Sequence, residues 1–157
     1  MSGRYAAGTE VPVDRSKAEL ERTLTRYGAT AFAYAWDVKR VMIGFSMHGR
    51  MIRFFLDMPD PESDEFWITP TGKGRTQKAA SDAYDQEVRR RWRALNLVIK
   101  AKLEAVESGI STFDSEFLAS ILLPNGQTYG QFALPQVAEV YRTGEMPALL
   151  PSLERGR

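Results

Sequence analysis

Four arginines fall within five residues, Arg89-Arg90-Arg91-Trp92-Arg93. Guanidinium groups donate in a planar fork that fits phosphate or carboxylate oxygens, so such a run is suited to gripping anions. On a helix Arg89, Arg93, Asn96 and Lys100 align at i, i+4, i+7 and i+11, a ridge turned away from Trp92 and Leu95. Arg90 adds a further outward charge. Paired one turn earlier with Asp82, Asp85 or Glu87, the same arginines would be only a solvated helix face. Residues 73–102 hold nine basic and three acidic side chains, so local pairing leaves a surplus. The functional expectation rests on these arginines pointing outward together, unpaired by the chain's own carboxylates.

A second basic group, Lys73, Arg75 and Lys78, brackets the start of the same helix, where unpaired amides attract anions. Pro70-Thr71-Gly72-Lys73-Gly74-Arg75-Thr76 looks like a phosphate loop but fails on spacing. Position 67 is Trp where the motif needs glycine, and Lys73 is followed by Gly74 rather than a hydroxyl residue. Phe55, with Arg53 on the same strand face, is a candidate stacking platform for bases.

Chemistry of other kinds finds little support. There is no cysteine, which removes disulfides, thiolate ligands and thiol nucleophiles. The single histidine, His48, sits in a hairpin turn two residues after Ser46, without the second glycine of a nucleophile elbow. Asp57, Asp60, Glu62, Asp64 and Glu65 form an acidic loop that lacks the central glycine and ligand alternation of a calcium loop. It reads better as a charged guard beside a sheet edge. No catalytic residue, metal ligand or cofactor is assigned.

The elements that position these residues follow from periodicity. Residues 1–13 read as a loose arm and residues 14–157 as a single domain. Ser16 with Glu19 fits a capping box, Leu20, Leu24 and Tyr27 make one apolar stripe, and Gly28 ends that helix. Ala31–Trp36, Val41–Met47 and Met51–Met58 alternate with period two, and the short breaks between them demand an antiparallel meander. Phe66-Trp67-Ile68 is a candidate fourth, edge strand. From Thr76 to Ser108, Ala80, Tyr84, Val88, Trp92, Leu95, Ile99, Leu103 and Val106 form one seam. Such a helix would be near 50 Å long at about 1.5 Å per residue. Beyond Gly109, a helical turn, a hairpin at Pro124-Asn125-Gly126 and a short helix over 135–141 ending at Gly144 make a small C-terminal helical and hairpin subdomain. The expected fold is α+β: a three- to four-stranded antiparallel sheet packed against a long basic helix.

Net charge is +1, but it is segregated: residues 73–102 carry +6 and residues 103–157 carry −4. No run of about 18 apolar residues occurs and the N-terminus lacks a signal-peptide core, so the expected location is cytoplasmic.

The segments Tyr27-Gly28-Ala29-Thr30, Arg91-Trp92-Arg93-Ala94-Leu95, Ile99 to Glu107, Leu123-Pro124-Asn125-Gly126 and Met146-Pro147 together resemble a family of small bacteriophage and prophage proteins. No catalytic motif attaches to that resemblance. It implies a bacterial cytoplasm as the setting. The expected function is a non-enzymatic nucleic-acid-binding accessory protein of phage DNA metabolism, with DNA ahead of RNA. The alternative is a protein-interaction module that inhibits or modulates a host defence or replication factor. There the arginines would meet an acidic host protein, or the long helix would form a homodimer.

Overall fold

The computed structural model describes residues 5–146, with side chains from residue 13 onward. Its order is α1 (Tyr5–Arg26), β1 (Ala31–Trp36), β2 (Arg40–Met47), β3 (Arg50–Asp57), α2 (Asp64–Trp67), α3 (Gln77–Glu107), α4 (Phe113–Phe117), a 3-10 turn (Leu118–Ser120) and α5 (Tyr129–Thr143). It is an α+β arrangement of helices on a three-stranded antiparallel sheet in the order β1-β2-β3.

The meander is set by its turns. Between β2 and β3 only His48 and Gly49 are unpaired, both at positive φ (51° and 72°). That is the backbone a two-residue hairpin requires to match strand twist, and glycine supplies half of it without strain. Between β1 and β2 the Asp37 carboxylate accepts from the amides of Lys39 (2.7 Å) and Arg40 (2.9 Å). Those two bonds hold its pKa below the usual carboxylate range.

Register puts Phe32, Tyr34, Val41, Ile43, Phe45, Met47, Ile52, Phe54 and Leu56 on one face. Helices α1 and α3 cover that face with Leu20, Leu24, Val88, Trp92, Ile99 and Leu103. Trp92 is 0% exposed and lies 6.2 Å from the Tyr34 ring, centroid to centroid. The seam read along α3 is the buried face, from Ala80 to Leu103. The other sheet face carries Ala33, Ala35, Gly44, Ser46, Arg53 and Phe55, and both alanines are exposed.

Four expectations are corrected. First, α1 begins at Tyr5, so the arm expected over 1–13 is helical from residue 5, and residues 1–4 lie outside the described residues. Ser16 is therefore inside the helix and caps nothing at its start; Pro12 withholds one donor but does not end a helix. Second, the fourth strand is not formed. Phe66 and Trp67 belong to α2, and Ile68 makes one isolated bridge to Gly74. The Phe66 ring instead packs edge-on to Tyr84 at 5.4 Å, and Trp67 Nε1 donates to the Pro61 carbonyl at 2.9 Å.

Third, the C-terminal part is not a separate subdomain. Phe117 is fully buried with its ring edge-on to Phe45 and Phe54, and Ile121 bridges to Ile52 of β3. The Pro124-Asn125-Gly126 turn does form, closed by Leu123 N donating to Gln127 O at 2.7 Å. Fourth, the last helix starts at Tyr129, six residues before Pro135, because Thr128 and Gln131 form a reciprocal capping box. It ends at Gly144, as expected, with φ 74°.

Candidate anion-binding groove between α1 and α3

Helices α1 and α3 run in the same direction. Arg15, Ser16 and Glu19 face Asp82, Gln86, Arg89 and Arg93 across an open groove of about 840 Å³. Farther along, the Tyr27 hydroxyl donates to the Glu104 carboxylate, and that bond raises the tyrosine pKa. The core seams hold the helices at this spacing, Leu20 and Leu24 on one and Val88, Trp92 and Ile99 on the other.

On α3 the flank over the groove carries Arg89 and Arg93, with Lys100 continuing the row. All three are exposed. Helical rise puts Arg89 and Lys100 about 16 Å apart along the axis. On α1, Arg15, Glu19, Arg22 and Arg26 repeat the same i, i+4, i+7, i+11 spacing, and its three arginines are exposed. None of these six cations is in an ion pair among the described residues. Within the groove itself Arg15, Arg89 and Arg93 stand beside two carboxylates, Glu19 and Asp82, while Arg22 and Arg26 line a separate depression with Glu21. What these arginines can do chemically is hold anionic groups.

The four clustered arginines do not act together. Arg90 donates Nε and Nη2 to both carboxylate oxygens of Glu87, at 2.7 and 2.6 Å. Arg91 donates to the same carboxylate at 2.9 Å and to the Asp57 carbonyl at 2.6 Å. These bonds, led by the one from Arg90, hold the Glu87 carboxyl down to about 2. The run is thus divided around the helix: Arg91 toward the sheet, Arg90 outward and chelated, Arg89 and Arg93 over the groove. Only the last two, with Lys100, keep the ridge read from the sequence.

The second basic group is also not brought together. Arg75 turns inward and donates Nη1 to the carbonyls of Glu65 (2.8 Å) and Phe66 (3.2 Å), fastening α2 to the start of α3. Thr76 caps α3 by accepting from Ala79 N at 3.2 Å. Lys73 and Lys78 are exposed without an ion pair among the described residues. Phe55 and Arg53 stand on the sheet face away from the groove. The Arg40 guanidinium lies 4.5 Å over the Phe55 ring, and Arg53 donates to the Gly126 carbonyl at 3.2 Å.

His48 rests its ring 4.9 Å from that of Phe113. Among the described residues no group of three or more His, Asp or Glu is placed to hold a metal. In the acidic loop, Asp60 accepts from its own neighbour, the Glu62 amide, at 2.9 Å. No helix among the described residues is long and apolar enough to cross a membrane.

The α1 half of the groove went unread in the sequence. Its signal was available, since Arg15, Arg22 and Arg26 have the spacing that drew attention to α3. It was masked because residues 1–72 carry nine basic and ten acidic side chains. No protein-family model, curated protein or solved structure matches this chain.

Proposed function

We propose that the chain is a non-enzymatic nucleic-acid-binding accessory protein that grips phosphates between α1 and α3. One observation carries the reading: Arg15, Arg89 and Arg93, free of ion pairs among the described residues, line one open groove between two co-directed helices. Arg89 and Arg93 stand about 6 Å apart along α3 with Lys100 about 10 Å further on, an extended run that suits a polyanion better than a single small ligand. In this proposal the setting is phage DNA metabolism in a bacterial cytoplasm. Arg89, Arg93 and Lys100 remain contacts in this reading, Lys73 and Lys78 are peripheral, and Arg15 joins them. Arg75 and Arg90 leave the set because carbonyl and carboxylate groups of the protein occupy them.

Binding to labelled DNA, titrated with salt, tests this. Four phosphate contacts give a slope of log K against log salt of about −3.6 on a duplex, roughly 0.9 per contact. Arg89→Ala with Arg93→Ala should flatten it by about 2. No retention on DNA or RNA at about 50 mM salt would overturn the reading.

Helix α5 favours a second reading, a protein-interaction module. Leu134, Val137 and Tyr141 share one helical arc and are 63%, 47% and 87% exposed. Only Gly130 of its residues is buried. Exposed apolar arcs of this kind mark contact surfaces for other proteins. Leu134→Glu with Tyr141→Glu should abolish capture of such a partner while leaving DNA binding intact.

A further inference from the structure

We propose that the open edge of β1 pairs antiparallel with β1 of a second copy of this chain, joining two three-stranded sheets into one continuous sheet. The surface is a strand edge, not the groove between the helices, so the proposal stands apart from the phosphate-binding reading.

The two edges of the sheet are finished differently. Along β3, Ile52 bridges to Ile121, and the carbonyls of Met51 and Asp57 accept from Leu122 N (2.8 Å) and Arg91 Nη1 (2.6 Å). Arg50, Arg53 and Asp57 add charge to that strand. β1 has neither kind of guard. Its sequence, Ala31-Phe32-Ala33-Tyr34-Ala35-Trp36, holds no charge and no proline, and β2 is its only strand neighbour among the described residues. Asp37 N donates to Arg40 O at 3.0 Å, so the antiparallel alternation turns the amides and carbonyls of Phe32, Tyr34 and Trp36 away from β2. An unguarded row of this kind is a template for one more strand.

The side chains favour a second copy as the occupant, because β1 is complementary to itself. A two-fold axis at Tyr34 sets Phe32 opposite Trp36 of the second copy, Tyr34 opposite Tyr34, and Ala33 opposite Ala35. The outward-facing pairs exchange two backbone bonds each, about six in all. Rings meet rings on the core face, alanines meet alanines on the other, and no like charges meet within the strand. Trp36 is 64% exposed at the end of the core face, where Phe32 of the second copy would cover it. Lys17 Nζ stands 4.7 Å from the centre of the Tyr34 ring, and Asp14 lies one turn before it on α1. Each copy thus brings one cation and one carboxylate toward the axis, which two-fold symmetry sets crosswise. A contact one strand long falls short of the roughly 800 Å² per partner of a standard interface, so the dimer is a weak one. Its Kd is on the order of 10–100 µM.

Sedimentation velocity of the full chain, from about 1 to about 500 µM, tests this. The expected result is monomer at the low end and dimer at the high end. Ala33→Lys with Ala35→Lys sets like charges opposite each other across the axis and should weaken the dimer about tenfold or more. Both alanines are exposed, so circular dichroism should be unchanged. Ala33→Glu with Ala35→Lys sets opposite charges at the same positions and should keep the dimer. Two double variants that associate equally would overturn the proposed pairing. A chain that stays monomeric throughout would overturn the second copy as occupant and leave the edge to a strand of another protein.

Discussion

Helices α3 and α5 are both amphipathic, yet they are held in opposite ways. Along α3 the apolar seam meets a sheet and a second helix, and seven of its residues are buried. Along α5 the apolar arc has only its first turn seated, where Gly130 lies against Ala119. Phe132, Leu134, Val137 and Tyr141 are exposed. A helix of about 15 residues is marginal in water by itself, so α5 depends on its capping box and that single close approach. The contrast teaches that patterning specifies a face to be covered but not what covers it. In α3 the chain supplies the cover and thereby fixes Arg89 and Arg93 over the groove; in α5 the described residues supply almost none.

The sharpest way to break this comparison is a pair of truncations. Trp92→Ala should cost about 3–5 kcal/mol in urea unfolding, whereas Tyr141→Ala should stay within about 0.5 kcal/mol. Equal losses would mean that the α5 arc is covered after all. A smaller effect is expected at the α5 anchor. A Cβ at position 130 would stand 2.8 Å from the Ala119 carbonyl oxygen, a backbone atom that cannot step aside cheaply. Gly130→Ala should cost about 1–3 kcal/mol, and amide exchange should quicken in α5 and not in α3.

A gain is expected on α3 itself. Asn96 Oδ1 is buried without a hydrogen-bond partner. Asn96→Leu removes that unsatisfied acceptor and improves helix propensity, so it should stabilise by about 1 kcal/mol, read as a higher urea midpoint.

The smallest effect concerns Glu87, whose carboxyl is lowered from 4.5 to about 2 in the folded chain. A depressed folded pKa means stability that is present above the unfolded value and is lost as pH falls through the folded one. Glu87→Gln should cost less than about 1 kcal/mol at pH 7, because Arg90 is largely exposed. The gap between the two proteins should close between pH 4.5 and about 2, and a gap that persists at pH 2 would assign Glu87 a role other than ion pairing.

Much of the fold was legible because its signals are local. Period two with breaks of two to four residues leaves strands few partners other than their neighbours, and the α3 seam is a single unbroken spacing. Phe66-Trp67-Ile68 misled because three apolar residues fit a strand or a buried turn equally, and the ring of Tyr84 decides between them only in three dimensions. Pro135 suggested a helix start, while the stronger start signal, Thr128 with Gln131, lay further upstream. The site was legible by half. Arg89, Arg93 and Lys100 could be read from spacing within one helix. That α1 would lie alongside, bringing Arg15 to the same groove, is a matter of tertiary packing. That Arg75 would serve carbonyls and Arg90 a carboxylate depends likewise on the fold around them.

Because α1 and α3 point the same way, their peptide dipoles add rather than cancel. Each helix carries roughly half a positive charge at its N-terminal end and half a negative charge at the other. Both positive poles therefore sit at one end of the groove, and both negative poles sit at the end where Glu104 meets Tyr27. The cleft has a built-in electrical polarity, and an anionic polymer entering it will be drawn toward the end where both helices begin.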